Sequence, residues 1–377
     1  MRRPSERIVE IKRNYLQGGL TSIPFRLNRL NNYIPGIIRG KLDCVTANSG
    51  VGKTTLTKKL YVFDPIRYCS QRNINYHVLY FALEESEEEF DWSMYSYMVN
   101  GFSQLDIRLD IMDFMHLYTP LDMNERELLS ISNETIQKIR DLNIDSHFET
   151  WKQYVTVYDY VYTTKHIKEI IVDFALSRGK FYRGENALSR DQIVKMGFIP
   201  THYVPDDPDE FVVVVTDHVS ELDEDLEEKT LAGAIRRLIA DAKHTYTKLL
   251  NYAFVAVHQQ AAAQEDLAHV QAKYVLPTMH GLGDNKRVGR AYQRVIGLAD
   301  PYRYGIKKFL DYENIEPMMD YSRFINFPKQ RYGRTGIKMG LLFDGKTGYM
   351  EALPKPGDYN GFQRVYRLIE DWNRNRL

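Results

Sequence analysis

The stretch Ala47-Asn48-Ser49-Gly50-Val51-Gly52-Lys53-Thr54-Thr55 has the residue types and spacing to grip a chain of phosphates. Its glycines free the backbone to curl, so that successive N–H groups form a nest for anionic oxygens. Lys53 supplies a point charge for β- and γ-phosphates, and Thr54 a hydroxyl for Mg²⁺. The usual pattern begins with Gly, and here that place is Ala47. Three more polar residues, each closing an apolar run, could complete a phosphoryl-transfer site. Glu84 follows Tyr76–Leu83 and could act as general base on a water. Asp217 closes Phe211–Thr216, where it could hold the water shell of a metal opposite the Thr54 hydroxyl. Gln259 closes Ala253–His258, where an amide could sense a γ-phosphate. Position alone leaves the bland alternatives open. Glu84 equally suits the acidic start of a helix over Glu87–Val99, Asp217 a turn, and Gln259 an ordinary strand end.

These residues need elements to hold them. Leu42–Thr46 is a short apolar run, and Thr54–Val62 reads as a helix. Strand, loop and helix in that order are what a phosphate-binding loop requires. Tyr76–Leu83, Val155–Val161, Phe211–Thr216, Ala253–His258 and Val295–Ala299 read as further strands. Between them fall helical patterns over Glu87–Val99, Thr163–Arg178 and Thr230–Leu250. The alternation predicts an α/β fold, a mostly parallel twisted sheet flanked by helices. Ligands of such sheets bind beyond the carboxyl ends of the strands, which would place Lys53, Glu84, Asp217 and Gln259 around one crevice. Gly101–Glu149 reads as helical and charged, and Phe181–Glu210, with its glycines and prolines, as an inserted loop. Ile337–Phe343 and Tyr349–Leu353 flank Asp344-Gly345, a hairpin signal. Ser5–Gln17 and Gln363–Arg374 are amphipathic helical patterns at the two ends.

The 377 residues carry 50 basic and 50 acidic side chains, which excludes a uniformly basic surface but leaves room for a local groove. Two cysteines, Cys44 and Cys69, imply no disulfide framework and fit a reducing cytosol. Met1-Arg2-Arg3 is not followed by an apolar stretch, and no run reaches the roughly 18 apolar residues of a membrane span. Ala261–Asp284 is long and rich in small residues, the composition of a functional or mobile loop. Lys286, Arg287, Arg290 and Arg294 follow it. If helical, Arg287, Arg290 and Arg294 share a face that could grip a phosphate backbone or could be plain solvated surface.

In chain order, these pieces resemble the RecA-like motor domain of DnaB-type hexameric replicative DNA helicases, over about residues 20 to 353. The loop with Ala47 first is a habit of that family. Phe81-Ala82-Leu83-Glu84-Glu85-Ser86 is similar to its Phe-Ser-Leu-Glu-Met-Ser box, whose Glu is the catalytic carboxylate. Val215-Thr216-Asp217 is similar to its second nucleotide motif, and Ala256-Val257-His258-Gln259 to its Ala-Leu-Ser-Gln box. Lys329-Gln330-Arg331-x-Gly333 is similar to its Lys-Gln-Arg-x-Gly box, whose Lys and Arg reach into the neighbouring subunit's ATP site. The family's helical N-terminal domain, which docks primase, has no counterpart ahead of Ser5–Gln17. Ala261-Ala262-Ala263 replaces polar and basic residues, and segments near 101–150 and 181–210 are longer than the family pattern.

The resemblance implies an ATP- and Mg²⁺-dependent helicase ring, a homohexamer that moves along single-stranded or forked DNA in the cytoplasm of a bacterium or phage-infected cell. A primase or helicase loader would be a partner, and a membrane would not. ATP would lie on Ala47, Asn48, Ser49, Gly50, Val51, Gly52, Lys53, Thr54 and Thr55, with Thr54 and Asp217 at the metal. Glu84 would activate water, Gln259 report hydrolysis, and Arg331, helped by Lys329, stabilise charge next door. Lys286, Arg287 and Arg290 would hold DNA. The expected layout is a docking arm over 1–22, the motor over 23–356 and a terminal helix over 357–377. The rival expectation is a RecA-like DNA-binding ATPase that does not unwind, such as a recombination mediator or regulatory ring.

Overall fold

Runs of β-branched residues lose little on entering a pleated sheet but crowd a helix, and they build the centre of this molecule. The computed structural model describes residues 4–16, 20–102, 108–117, 120, 123, 130–224, 228–261, 274–282 and 286–374, without the side chains of Glu10, Asn14, Tyr15, Asn28, Phe102, Lys286 and Arg287. A two-residue pair, β1 (Ser22–Ile23) with β2 (Ile37–Ile38), precedes the first core strand, β3 (Leu42–Ala47). The strands that follow are β4 (Tyr76–Ala82), β5 (Val155–Tyr158), β6 (Gly179–Arg183), β7 (Asn186–Ala187), β8 (His202–Pro205), β9 (Phe211–Asp217) and β10 (Ala253–Gln259). β11 (Arg294–Ala299), β12 (Ser322–Gln330), β13 (Lys338–Asp344) and β14 (Tyr349–Ala352) complete the set. Nine of them form one sheet in the order β14-β13-β12-β11-β3-β10-β9-β4-β5. From β11 to β5 every pairing is parallel, and β12, β13 and β14 add antiparallel neighbours.

Every residue of β3 and β9 is buried, so both faces of the sheet are covered; β9 is apolar from Phe211 to Val215, while β3 buries the charged Asp43 among its apolar residues. On one face Val45, Val213, Val215 and Val255 meet Leu56 and Leu60 from the helical segment after the glycine-containing loop 48–52. On the other, Cys44, Val212, Val214 and Ala256 meet Ile167, Ile171 and Leu238. Val365, Ile369 and Trp372 of the C-terminal helix Tyr359–Arg374 cover Phe324 and Leu342 in the antiparallel part. Among the described residues no helix is long and apolar enough to cross a membrane.

The expected α/β sheet is present, and several local expectations need correction. The stretch after the loop runs further than Thr54–Val62: an α-helix, Lys53–Lys58, widens into a π-turn, Lys59–Phe63, before Asp64–Ser70. Phe181–Glu210 is not a plain loop. β7-β6-β8 form a small antiparallel sheet there, with a short helix, Arg190–Val194, between β7 and β8. Its strands are too short for their alternation to stand out, and they are held by contacts across the insertion, such as the Phe181 and Tyr203 rings 4.9 Å apart. Arg294 does not join Arg287 and Arg290 on a helix face. The helix ends at Ala291, and Arg294 opens β11, where it is buried in an ion pair with Asp43 and donates to the Pro35 and Gly36 carbonyls. A buried guanidinium requires such partners.

Candidate functional site

β3 ends at Ala47, and the chain turns through Asn48–Gly52 into the helix Lys53–Lys58. Gly50 (φ +71°) and Gly52 (φ +103°) take left-handed backbone. A Cβ on Gly52 would also lie 2.4 Å from the Phe343 ring, so the position demands glycine twice over. Lys53 is only 7 % exposed. The outside of the loop is braced. Arg303 donates to the Ser49 carbonyl at 2.5 Å, and Arg323 Nε to the Val51 carbonyl at 3.1 Å. Arg323 is itself paired with Asp300 at 3.2 Å, and Asn48 donates to the Tyr304 hydroxyl at 3.0 Å.

The strand ends come together in register. Ala82 of β4 lies beside Asp217 of β9, and Gln259 of β10 beside Ala47 of β3. Thr54 Oγ1 stands 3.3 Å from Asp217 Oδ1, and the Tyr80 hydroxyl 2.7 Å from Asp217 Oδ2. Asp217 is fully buried. Desolvation above all, and then the negative charge of Glu85, push its pKa up to about 6, against the pull of Tyr80, Lys58 and Thr54. A buried, partly destabilised carboxylate facing a loop hydroxyl suits a divalent cation, whose charge would settle it.

Glu84 and Glu85 follow the same strand but differ in surroundings. Glu85 is tied to Lys58 at 2.5 Å and to the Tyr80 hydroxyl at 3.1 Å. The Glu84 side chain is 43 % exposed, 3.5 Å from His218 Nδ1. His218 is buried, and its Nδ1 lies 2.7 Å from Ser220 Oγ. Desolvation, then the nearby charges of Lys53 and His258, hold its pKa down at about 3, so at neutral pH it is an uncharged neighbour. Of the two carboxylates, Glu84 is the one free to meet a water molecule.

Gln259 is exposed at its strand tip. Gln260, which sequence reasoning passed over, is buried: its amide donates to Thr46 Oγ1 at 2.9 Å and accepts from the Thr278 N–H at 3.1 Å. It anchors the returning end of the long loop, whose residues 262–273 and 283–285 lie outside the described part.

Lys329 and Arg331 sit elsewhere. Gln330 pairs with Arg294, which pairs with Asp43 at the start of β3, so both residues lie at the sheet edge opposite the loop. Lys329 Nζ donates to the Gly289 and Arg290 carbonyls at 3.0 and 2.9 Å, closing the end of the helix Lys286–Ala291. Arg331 is exposed, as is Arg290. The side chains of Lys286 and Arg287, expected at a DNA surface, lie outside the described part.

The residues that sequence reasoning missed are Lys58, Tyr80, Glu85, His218, Gln260, Arg303 and Arg323. His218 follows Asp217 directly and could have been flagged. The others look like ordinary strand, helix or loop residues until folded.

No family model matches the chain, and no curated protein matches it. Solved structures do. The ATPase domain of G40P superposes with a TM-score of 0.63 at 14 % identity, covering 93 % of this chain and 98 % of that one. A DnaB-like replicative helicase, solved in a study of its interactions with primase, gives a TM-score of 0.58 at 13 % identity, covering 93 % of this chain and 67 % of that one. The chain therefore has the RecA-like α/β fold that these two structures share.

Proposed function

We propose that this chain is an ATP-hydrolysing motor of the replicative-helicase kind, which works as a ring on single-stranded or forked DNA. One observation carries the reading. The tips of β3, β4, β9 and β10 bring Lys53, Thr54, Glu84, Asp217 and Gln259 to one sheet edge, while Arg331 stands at the other. At about 3.3 Å per strand residue, the β3 strand puts on the order of 16 Å between that arginine's end of the sheet and its own loop. An arginine cannot span that distance, so a finger role for Arg331 requires a neighbouring subunit.

Within one subunit the loop amides and Lys53 would bind the β- and γ-phosphates. Thr54 and Asp217 would hold Mg²⁺, which neutralises developing phosphate charge when bound. Glu84 would take the proton of the attacking water, and Gln259 would carry the presence of a γ-phosphate to the loop that follows it. Lys329 could help Arg331 only by leaving the carbonyls it now caps. Lys286, Arg287 and Arg290 would hold DNA by its backbone, without reading sequence. A primase or a loader would be a further partner, in bacterial or phage-infected cytoplasm.

Ring assembly has physical support in the N-terminal helix Pro4–Leu16. It leaves Ile8 66 % and Ile11 58 % exposed and carries Arg7, Lys12 and Arg13. A groove of about 730 Å³ lies along the helix Glu87–Phe102, floored by Trp92, Phe114, Ile139 and Phe148 and rimmed by Glu88 and Asp145. Its apolar floor suits the exposed Ile8 and Ile11 of that arm, whose Arg7, Lys12 and Arg13 outnumber Glu6 and Glu10 as the rim acids outnumber Arg140, and a neighbour's arm would seat there, in a hexamer.

The uncharged Ala261-Ala262-Ala263 after the sensor amide favours a second reading, a DNA-binding ATPase that does not unwind. A forked-duplex assay separates the two. Strand separation with turnover that rises on single-stranded DNA supports the motor. Turnover without separation supports the second reading, and absence of turnover refutes both.

A further inference from the structure

We propose that Lys58, Glu85 and Tyr80 are positioning residues that set the carboxylate of Asp217 for the metal, with the Lys58–Glu85 ion pair deciding where the single hydroxyl proton of Tyr80 goes. The inference rests on the Mg²⁺–nucleotide reading of the site given above.

Tyr80 is wholly buried, and its hydroxyl lies between two carboxylates, 2.7 Å from Asp217 Oδ2 and 3.1 Å from Glu85 Oε1. One O–H can donate to only one of them at a time. The other oxygen of Glu85 is taken by Lys58 Nζ at 2.5 Å, and Lys58 also reaches Ser93 Oγ at 2.9 Å. Lys58 belongs to the helix that begins at Lys53, Ser93 to the helix Glu87–Phe102. The chain of contacts therefore ties two helices and a strand to one carboxylate.

Its consequence is electrostatic. A compensated Glu85 is a poor competitor for the Tyr80 proton, so the hydroxyl stays on Asp217 Oδ2. That contact fixes the carboxylate with Oδ1 toward the Thr54 hydroxyl, the side on which a cation would lie. Without Lys58, Glu85 would be an unpaired charge in a sparsely solvated site, where charge is costly. It would draw the Tyr80 proton to itself and leave Asp217 both unoriented and beside a like charge. Glu85 stands where the similar helicase box has Met, so an apolar pair at positions 58 and 85 is a reasonable replacement.

The test uses the full chain and a fluorescent ATP analogue, with binding measured in EDTA and across a Mg²⁺ titration. Wild type, Tyr80→Phe, Lys58→Met and the double variant Lys58→Met/Glu85→Met are compared. Binding in EDTA should be the same for all four within about twofold. The Mg²⁺ concentration for half-maximal effect should rise roughly tenfold in Tyr80→Phe and Lys58→Met, the scale of a lost hydrogen bond to a charged group. It should return to within about twofold of wild type in the double variant. Unchanged Mg²⁺ dependence in Tyr80→Phe overturns the inference, as does a double variant no better than Lys58→Met. A loss of affinity that is equal with and without Mg²⁺ also overturns it, because that is a merely structural effect. If Lys58→Met does not fold, Tyr80→Phe, which removes one oxygen, decides alone. A wild-type chain that binds the analogue with no Mg²⁺ effect refutes the metal site itself, and this inference falls with it.

Discussion

Asp217→Asn should stabilise the metal-free protein, and the gain should grow with pH. Burial, with Glu85 adding to it, raises the Asp217 pKa from 3.8 to about 6. Between those values the native chain binds more protons than the unfolded one, so stability falls as pH rises through the window and is flat above it. The full window spans about two pK units, or about 3 kcal/mol. From pH 5 to pH 8 about one unit remains to be lost, on the order of 1 kcal/mol. Asn carries no such penalty: its Oδ1 can accept from one of the Tyr80 and Thr54 hydroxyls, which stand 2.7 and 3.3 Å from Asp217, and its Nδ2 can donate to the other. Urea unfolding of both proteins in EDTA, at pH 5 and pH 8, gives the comparison. The advantage of Asn over Asp should widen by on the order of 1 kcal/mol across that interval. A constant difference, or one that shrinks, would refute the claim that this carboxylate is held against its preference. The same substitution should abolish turnover. A change that stabilises and inactivates together marks a strained functional group.

Three other perturbations have definite outcomes. Gly52→Ala forces a side chain onto φ +103° and toward Phe343, so equilibrium unfolding should show a loss of about 2–3 kcal/mol, and nucleotide binding should fall at least tenfold. Arg331→Ala subunits, inactive alone, should recover part of their turnover when mixed with Lys53→Ala subunits, because each mixed interface can join an intact loop to an intact arginine. No recovery at any mixing ratio would count against action between subunits. Trp92→Asp places a charge on the floor of the acidic groove and should shift sedimentation toward smaller species, as should Ile11→Asp on the arm. Assemblies of unchanged size in both variants would show that the arm docks elsewhere.

How much of this was legible in the sequence depended on the range of the contacts. β3, β4, β9 and β10 were readable because burial on both faces leaves mostly apolar runs, and in β9 and β10 the polar residue ending the run, Asp217 or Gln259, marks the strand tip. The glycine-containing loop before Lys53 was readable because its glycines, lysine and threonine are close together in the chain. Arg294 was not, since only the fold places it against Asp43, and its spacing from Arg287 and Arg290 mimics a helix face. Lys58, Tyr80 and Glu85 were opaque for the same reason. A helix lysine and a strand tyrosine acquire meaning only when the fold brings Asp217 of β9 beside Tyr80 and Lys58 against Glu85. The small sheet β7-β6-β8 was hidden because two- to five-residue strands hold too little alternation to register.

The central claim is that the sheet edge at Lys53 binds a nucleotide and that Glu84 activates the water that attacks it. Glu84→Gln tests it most directly, with Mg²⁺–ATP binding and phosphate release measured on the same preparation. The amide keeps the size of the side chain but cannot take a proton, so affinity should stay within about threefold while turnover falls roughly 10²- to 10⁴-fold. Wild-type turnover by Glu84→Gln would contradict the account.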